Sequence, residues 1–193
     1  MKRKMLAGLA ALVVMVMGGL AFQGDVGAAS LKTNVEISVN ATLAGDVGLA
    51  TASVPLAVKK QIEFANGVAA NQADKVYSAS YSILTGATEN IDVKGALVDA
   101  LGAAFTPAKL KLVYIYSRPT NSTNLTLLGN ANSVPILGTA ATTTVLDPGG
   151  LFQVLRPGLA GITVTAGTGD IIQVVNAAGA TAVVDVILVG TSS

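Results

Sequence analysis

Apolar and polar residues alternate along several stretches of the chain, which is the pattern of β-strands with one buried face and one wet face. In the first stretch Glu36, Ser38 and Asn40 separate the apolar residues, and in the second Lys59, Gln61 and Glu63 do so. The apolar members of four such stretches are Val35, Ile37, Val39 and Leu43; Leu56, Val58, Ile62 and Phe64, interrupted by Lys60; Tyr77, Ala79 and Tyr81; and Ile162 and Val164. The pattern predicts a strand at each of them.

Two other stretches, residues 110–116 and 183–189, are apolar on both sides. They predict central strands, or strands covered by a neighbouring chain. Asp185 interrupts the second stretch. Because a buried, unpaired carboxylate is costly, we expect Asp185 at a sheet edge or bonded to a neighbouring loop.

Turn signals separate these stretches at short intervals, as sandwiches and jelly rolls require. They include Asn66-Gly67, Thr85-Gly86, Arg118-Pro119, Gly129-Asn130, Asp147-Pro148-Gly149-Gly150, Arg156-Pro157-Gly158 and Ala178-Gly179. The exception is residues 93–105, where a 3.6-residue period interrupted by glycine predicts a short helix or a looped turn. The expected fold is all-β, an antiparallel β-sandwich or jelly-roll-like domain of nine or ten strands over residues 31–193.

Residues 1–30 have a different composition. A basic cluster of Lys2, Arg3 and Lys4 precedes the uncharged residues 5–22, and small residues follow. This order is typical of a cleaved secretory signal peptide. A retained apolar helix is the first alternative, since eighteen residues span about 27 Å, and a buried structural arm is the second. A membrane contact is expected only through residues 5–22, if the leader is retained.

Composition narrows the chemistry of this 193-residue chain. It contains no Cys and no His, and Trp is also absent. Disulfides, thiol nucleophiles, imidazole catalysis and Cys/His zinc sites are therefore excluded. Twelve basic and eleven acidic residues give a formal net charge of +1, so no global field favours nucleic acid. We expect no enzyme activity, no cofactor and no nucleic-acid partner.

The remaining polar motifs predict turns rather than sites. Gly167-Thr168-Gly169-Asp170 precedes strand-forming residues, so it predicts a tight turn and not a phosphate loop. The carboxylates are scattered along the chain, at Asp74, Glu89, Asp92, Asp99, Asp147, Asp170 and Asp185. Turn-associated Asp46, Asn66, Asn71, Asp74, Asp147 and Asp170 are oxygen donors of the type that binds Ca²⁺, but the Asp-x-Asp-x-Asp-Gly loop is absent. We expect them to cap turns.

From about Val35 to Gly190 the chain resembles a group of small phage and prophage proteins found among virion structural genes. The matching pieces, in chain order, are Asp46-Val47-Gly48, the segment 52–58, Gly67 to Lys75, Glu89 to Val93, Leu97 to Gly102 with Phe105, Asp147 to Gly150, Val164 to Asp170, and Asp185 to Ser192. The resemblance implies a β-sandwich virion component of the decoration, fibre or minor capsid type. It supplies no catalytic residue. The leader of residues 1–30 is not typical of these proteins.

The function expected from these observations is that of a non-enzymatic virion protein, a homo-oligomer or a protein docked on other virion proteins. The strands at 110–116 and 183–189 are the expected core or subunit contacts. Tyr114, Tyr116 and Phe152 are candidate interface anchors because aromatic side chains concentrate interface energy, although the same residues also suit an ordinary core. The alternative, favoured by the leader, is a secreted cell-surface, matrix or filament protein.

Overall fold

The described chain consists of β-strands joined by turns. The structure, a computed structural model, describes residues 30–46, 51–139 and 142–193, and no helix occurs among these residues. The described part contains twelve strands: β1 (Thr33–Asp46), β2 (Thr51–Asn66), β3 (Gln72–Ala73), β4 (Lys75–Ile83), β5 (Ala87–Asp92), β6 (Lys109–Ser117), β7 (Leu125–Leu128), β8 (Thr143–Leu146), β9 (Leu151–Leu155), β10 (Ile162–Thr163), β11 (Ile171–Asn176) and β12 (Ala182–Thr191). All pairings of these strands are antiparallel except the short parallel contact of β2 with β3.

The largest sheet has five strands, with β6 and β12 side by side at its centre. β4 pairs with the free side of β12, and β9 and β10 both pair with the free side of β6. The predicted central strands at 110–116 and 183–189 lie in β6 and β12 and are confirmed. At Leu112 and Val113 both faces of β6 are covered, since these neighbours point to opposite faces and are both fully buried.

A second antiparallel sheet has four strands in the order β5-β11-β7-β8. The chain passes from the first sheet to the second through the predicted turn at Thr85-Gly86. There the amide of Ala87 donates to the carbonyl of Leu84 over 3.1 Å, and Gly86 has a φ of +72°. Glycine adopts this left-handed conformation without a steric penalty.

Side chains from both sheets form one buried cluster, which is the main core. The face of the five-stranded sheet that enters this cluster is called the inner face below. The strand residues of the main core are Tyr77, Ile83, Ile91, Leu110, Val113, Ile115, Leu125, Leu127, Leu128, Leu146, Ile162, Ile172, Val174, Ala182, Val184, Val186 and Leu188. Their alternation explains why the period-two pattern located β4 and β10.

The third sheet is mainly a long hairpin of β1 and β2, which is called the arm. Its fourteen cross-strand pairs run without a register shift from Thr33 opposite Phe64 to Asp46 opposite Thr51. β1 has 14 residues, and at about 3.3 Å per residue the arm is about 45 Å long. The alternation seen in the sequence from Val35 and from Leu56 belongs to these two strands.

A β-bulge lies where β6 meets the end of β12. Val189 pairs with Leu112 and Gly190 with Leu110, which leaves Lys111 as the extra residue. The Lys111 side chain is fully buried, and its ammonium donates to the backbone carbonyls of Gly158 and Leu159. Burial lowers the pKa of Lys111, and the nearby positive charge of Lys109 lowers it further.

The segment 93–105 is a looped turn, so the short-helix alternative is wrong for it. Asp99 Oδ1 accepts hydrogen bonds from the amides of Leu101 and Ala103, at 2.8 and 2.9 Å. Phe105 is fully buried in the main core and holds the end of the loop. Local capping and one anchor residue thus outweigh the weak helical period.

The strand number also differs from the nine or ten predicted, because strands as short as β3 show no periodicity. The predicted signal peptide or apolar anchor, with its helix, falls on residues that lie outside the described part apart from Ser30. Within the described residues there is no apolar helix of membrane-spanning length.

Candidate interaction surface

The arm has one apolar face and one polar face. Residues paired across an antiparallel ribbon lie on the same face, so β1 residues of odd number share a face with β2 residues of even number. This apolar face contains Val35, Ile37, Val39, Ala41 and Leu43 from β1, and Val54, Leu56, Val58, Lys60, Ile62 and Phe64 from β2. On the opposite face Lys59 and Glu36 form an ion pair of 3.0 Å.

The base of the arm is packed on the five-stranded sheet. Val35 and Phe64 are 1% and 0% exposed, and they form a buried cluster with Ala73, Leu112 and Val189. Leu112 and Val189 belong to the face of the sheet opposite the main core, which is called the outer face below. The arm base is therefore a second, smaller core on the outer face.

Beyond its base the apolar face of the arm is open to water. The distal arm, defined as residues 37–43 and 54–60, carries large apolar side chains that are 39–74% exposed. They are Ile37, Val39, Leu43, Val54, Leu56 and Val58. Contiguous exposed apolar surface of this kind marks an interaction site. A two-stranded ribbon is also only marginally stable in water without a further layer.

The outer face continues past the arm base as a second partly exposed surface. Cross-strand pairing places Tyr114 beside Ile187 and Tyr116 beside Leu151 there, and all four are half-buried. Tyr114 also touches the arm-base cluster. Loss of hydration raises the pKa of its hydroxyl, and the nearby Tyr116 and Asp185 raise it further.

The three predicted interface aromatics are thus not all together. Tyr114 and Tyr116 lie on the outer face, as their alternation along β6 requires. Phe152 pairs with Ile115 and packs against the main core. The structure therefore brings two of the three candidates to one surface and places the third, half-buried, against the main core.

A bidentate ion pair crosses the outer face. Arg118 Nε and Nη2 donate to Asp185 Oδ2 and Oδ1 at 3.0 and 2.8 Å, and Nη2 also donates to Ser80 Oγ at 3.1 Å. The hydrogen bonds from Arg118 hold the pKa of Asp185 below its usual value, and the same contact raises the pKa of Arg118. Asp185 lies on a central strand, so the expected sheet-edge position is wrong. The expected bond to a neighbouring loop is confirmed, since Arg118 directly follows β6.

The turn carboxylates and amides hold backbone groups at separate places. Asn66 Oδ1 accepts from the amide of Leu31 at 3.1 Å, Asp74 Oδ1 from that of Ser192 at 2.8 Å, and Asp170 Oδ2 from that of Gly167 at 2.5 Å. The last bond closes the predicted tight turn between β10 and β11. Among residues 30–46, 51–139 and 142–193, no three acidic side chains are grouped as a metal site would require.

The sequence predicted both strands of the arm, but it did not predict that their shared apolar face is exposed to solvent. Two signals were present: each strand is far longer than the five to six residues of an average strand, and the alternation continues through both. The sequence does not indicate the burial of Lys111 either, because a lysine in a strand usually lies on the solvent-exposed face. The bulge that buries it depends on the pairing with β12.

Comparisons with protein-family models, with curated proteins and with solved structures find no match for this chain.

Proposed function

We propose that this protein is a non-enzymatic structural component of a virion, of the decoration, fibre or minor capsid or tail type. It acts by self-association and by docking on an assembly. In this proposal the five-stranded and four-stranded sheets are the two layers of a β-sandwich, which is supported by the single buried cluster that contains side chains from both.

The exposed apolar face of the distal arm is the observation that carries this proposal. Leu43 is 74% exposed and Val54, which pairs with it, is 62% exposed. Burying such a side chain completely stabilises a contact by about 1.5–3 kcal/mol relative to full exposure. Six side chains of this kind on one ribbon favour a protein partner, and a repeated assembly multiplies the gain over many copies.

The chemistry of the chain agrees with a role through surfaces. The polar side chains described above serve turns, caps and two ion pairs, and the sequence lacks His and Cys altogether. The ordered series of turn-and-strand pieces that resembles phage virion proteins supports the same class of function.

The leader of residues 1–30 favours a second candidate, a secreted cell-surface, matrix or filament protein. Its basic, apolar and small residues follow the order of a signal peptide. Such a protein would use the same arm and outer face outside the cell.

Mass spectrometry of purified particles and of the culture medium separates the two candidates. Full-length chain at fixed stoichiometry in particles supports the virion component. Mature chain in the medium, cut near Ala29 and absent from particles, supports the secreted protein and rejects the virion role.

A further inference from the structure

Apart from Lys60, the two halves of the arm's apolar face carry the same kind of apolar side chain but have different surroundings. At the base, Val35 and Phe64 are covered by the outer face of the five-stranded sheet. Further out, Val58 is 53% exposed and Leu43 is 74% exposed, although they continue the same face of the same ribbon. A surface that covers the base is therefore also the kind of surface that suits the distal arm.

The chain itself offers such a surface beside the arm base. Tyr114, Tyr116, Ile187 and Leu151 extend the outer face past the covered Leu112 and Val189, and they are only half-buried. Two tyrosines next to aliphatic side chains form the type of patch that supplies interface energy. Every copy of the chain thus carries both an unpartnered apolar ribbon and an unpartnered stretch of the sheet face on which that ribbon already packs.

The area of the arm decides how two copies fit together. The distal arm pairs seven residues of each strand, so it is about 23 Å long and 10 Å wide and covers about 230 Å². One arm on one sheet therefore removes about 460 Å² from water when both surfaces are counted, as do two arms packed face to face, and this is the size of a crystal contact. Two arms exchanged reciprocally remove about 920 Å², which exceeds most crystal contacts and is the size of a weak, reversible interface.

We propose that two copies of this chain exchange arms, so that the distal arm of each lies on the outer face of the other. The contact is isologous: the same two surfaces are used in both copies, and the pair is closed. This inference rests on the proposed function, because it names the partner of the arm in a protein that acts by association.

Light scattering on the full chain over a range of concentrations tests the exchange with two variants of equal charge. Leu56→Lys puts an ammonium on the apolar face, and Thr42→Lys puts one on the polar face of the same ribbon. We expect a dimer whose dissociation constant rises by about tenfold or more in Leu56→Lys and is unchanged in Thr42→Lys. Residues 1–29 are the same in both, so association through that segment does not distinguish them. A wild-type monomer at all concentrations, or equal association of both variants, overturns the proposal.

Crosslinking identifies the surface that receives the arm. The chain has no native cysteine, so Leu56→Cys and Tyr116→Cys each introduce a unique thiol. In a mixture of the two variants, a short bismaleimide should give mainly the mixed dimer. Thr42→Cys in place of Leu56→Cys should give little of it. Arm-to-arm crosslinks of Leu56→Cys as the main product would overturn the exchange.

The unfolding midpoint of each variant, measured at a concentration where it is monomeric, should match that of the wild type. Leu151→Lys changes the receiving surface instead of the arm and should weaken the dimer equally. If the chain proves monomeric but is present in purified particles, the exchange is wrong and the proposed function stands. If the chain dimerises through exchanged arms but is absent from particles, the exchange stands and the proposed virion function is wrong.

Discussion

Val39 and Val58 lie directly opposite each other on the arm and are exposed to the same extent, 52% and 53%. On the same face, the next pair towards the base is Ile37 and Lys60. The pair after that, Val35 and Ile62, reaches the outer face of the five-stranded sheet. A single ribbon therefore passes from core to solvent while its apolar pattern continues, interrupted on this face by Lys60.

This transition predicts that truncating a side chain to alanine lowers the free energy of unfolding by different amounts at the base and on the distal arm. Phe64→Ala should destabilise the protein by about 3–5 kcal/mol, because Phe64 is fully buried against Leu112 and Val189. Val58→Ala should cost less than about 1 kcal/mol. Denaturant unfolding at concentrations where the chain is monomeric measures both values. Phe64→Ala should also speed tryptic cleavage after Lys59 and Lys60, and equal costs for the two variants would contradict the described packing.

The Arg118–Asp185 ion pair predicts a loss of stability in acid. Arg118 holds the folded-state pKa of Asp185 below its unfolded value of about 3.8. The contribution of the ion pair to the stability of the folded protein is therefore complete above that value, and it disappears as the pH falls through the folded-state pKa. Asp185→Asn should lower the melting temperature at pH 7, and the difference from wild type should vanish at strongly acidic pH.

Asp147→Asn, the same change in an exposed turn, is the control for Asp185→Asn. If the melting temperatures of Asp185→Asn and wild type differ by a constant amount down to the lowest pH, the ion pair is not the cause of the effect.

The burial of Lys111 predicts that stability also rises with pH in the alkaline range. Its folded-state pKa is lowered by burial, so the unfolded chain binds this proton more tightly. Stability from this group should rise with pH from the folded-state pKa up to about 10.5, and stay constant above it. The melting temperature of wild type minus that of Lys111→Met should therefore increase as the pH rises towards about 10.5. A difference that stays constant with pH would contradict the described burial of Lys111.

Gly190 predicts a steric limit at the bulge. A Cβ at this position would lie 2.5 Å from the backbone oxygen of Lys109 and 2.8 Å from Cβ of Pro107. Gly190→Ala should destabilise the protein by about 1–3 kcal/mol, because these neighbours belong to backbone and ring. Gly158→Ala meets no atom within 4 Å and is the matched control. A urea titration compares them, and wild-type stability of Gly190→Ala would contradict the register of β6 and β12.

Much of the fold followed from local pattern. The central strands, the alternating strands and the turns at Thr85-Gly86 and Gly167–Asp170 were predictable, because a half-buried strand and a tight turn each impose their residue types over a few positions. The looped turn at 93–105 was only one of two alternatives there. It was decided by Asp99 and by the burial of Phe105, and the second of these is not a local property.

The candidate surface was less accessible to sequence reasoning. Tyr114 and Tyr116, two of the predicted aromatic anchors, share the outer face, whereas Phe152, the third, packs against the main core. The face that a strand residue occupies depends on which side of its sheet is covered, and the chain order of the strands does not state it.

The sequence by itself determined the strands whose residues alternate or are apolar on both sides, and the absence of thiol and imidazole chemistry, because these depend on residue type and spacing alone. Only the tertiary structure decided that the arm's apolar face is buried at Phe64 and bare at Leu43, that Asp185 meets Arg118, and that Lys111 is enclosed. Burial and pairing arise between segments far apart in the chain, and the same alternation of residues suits a covered face and an open one equally well.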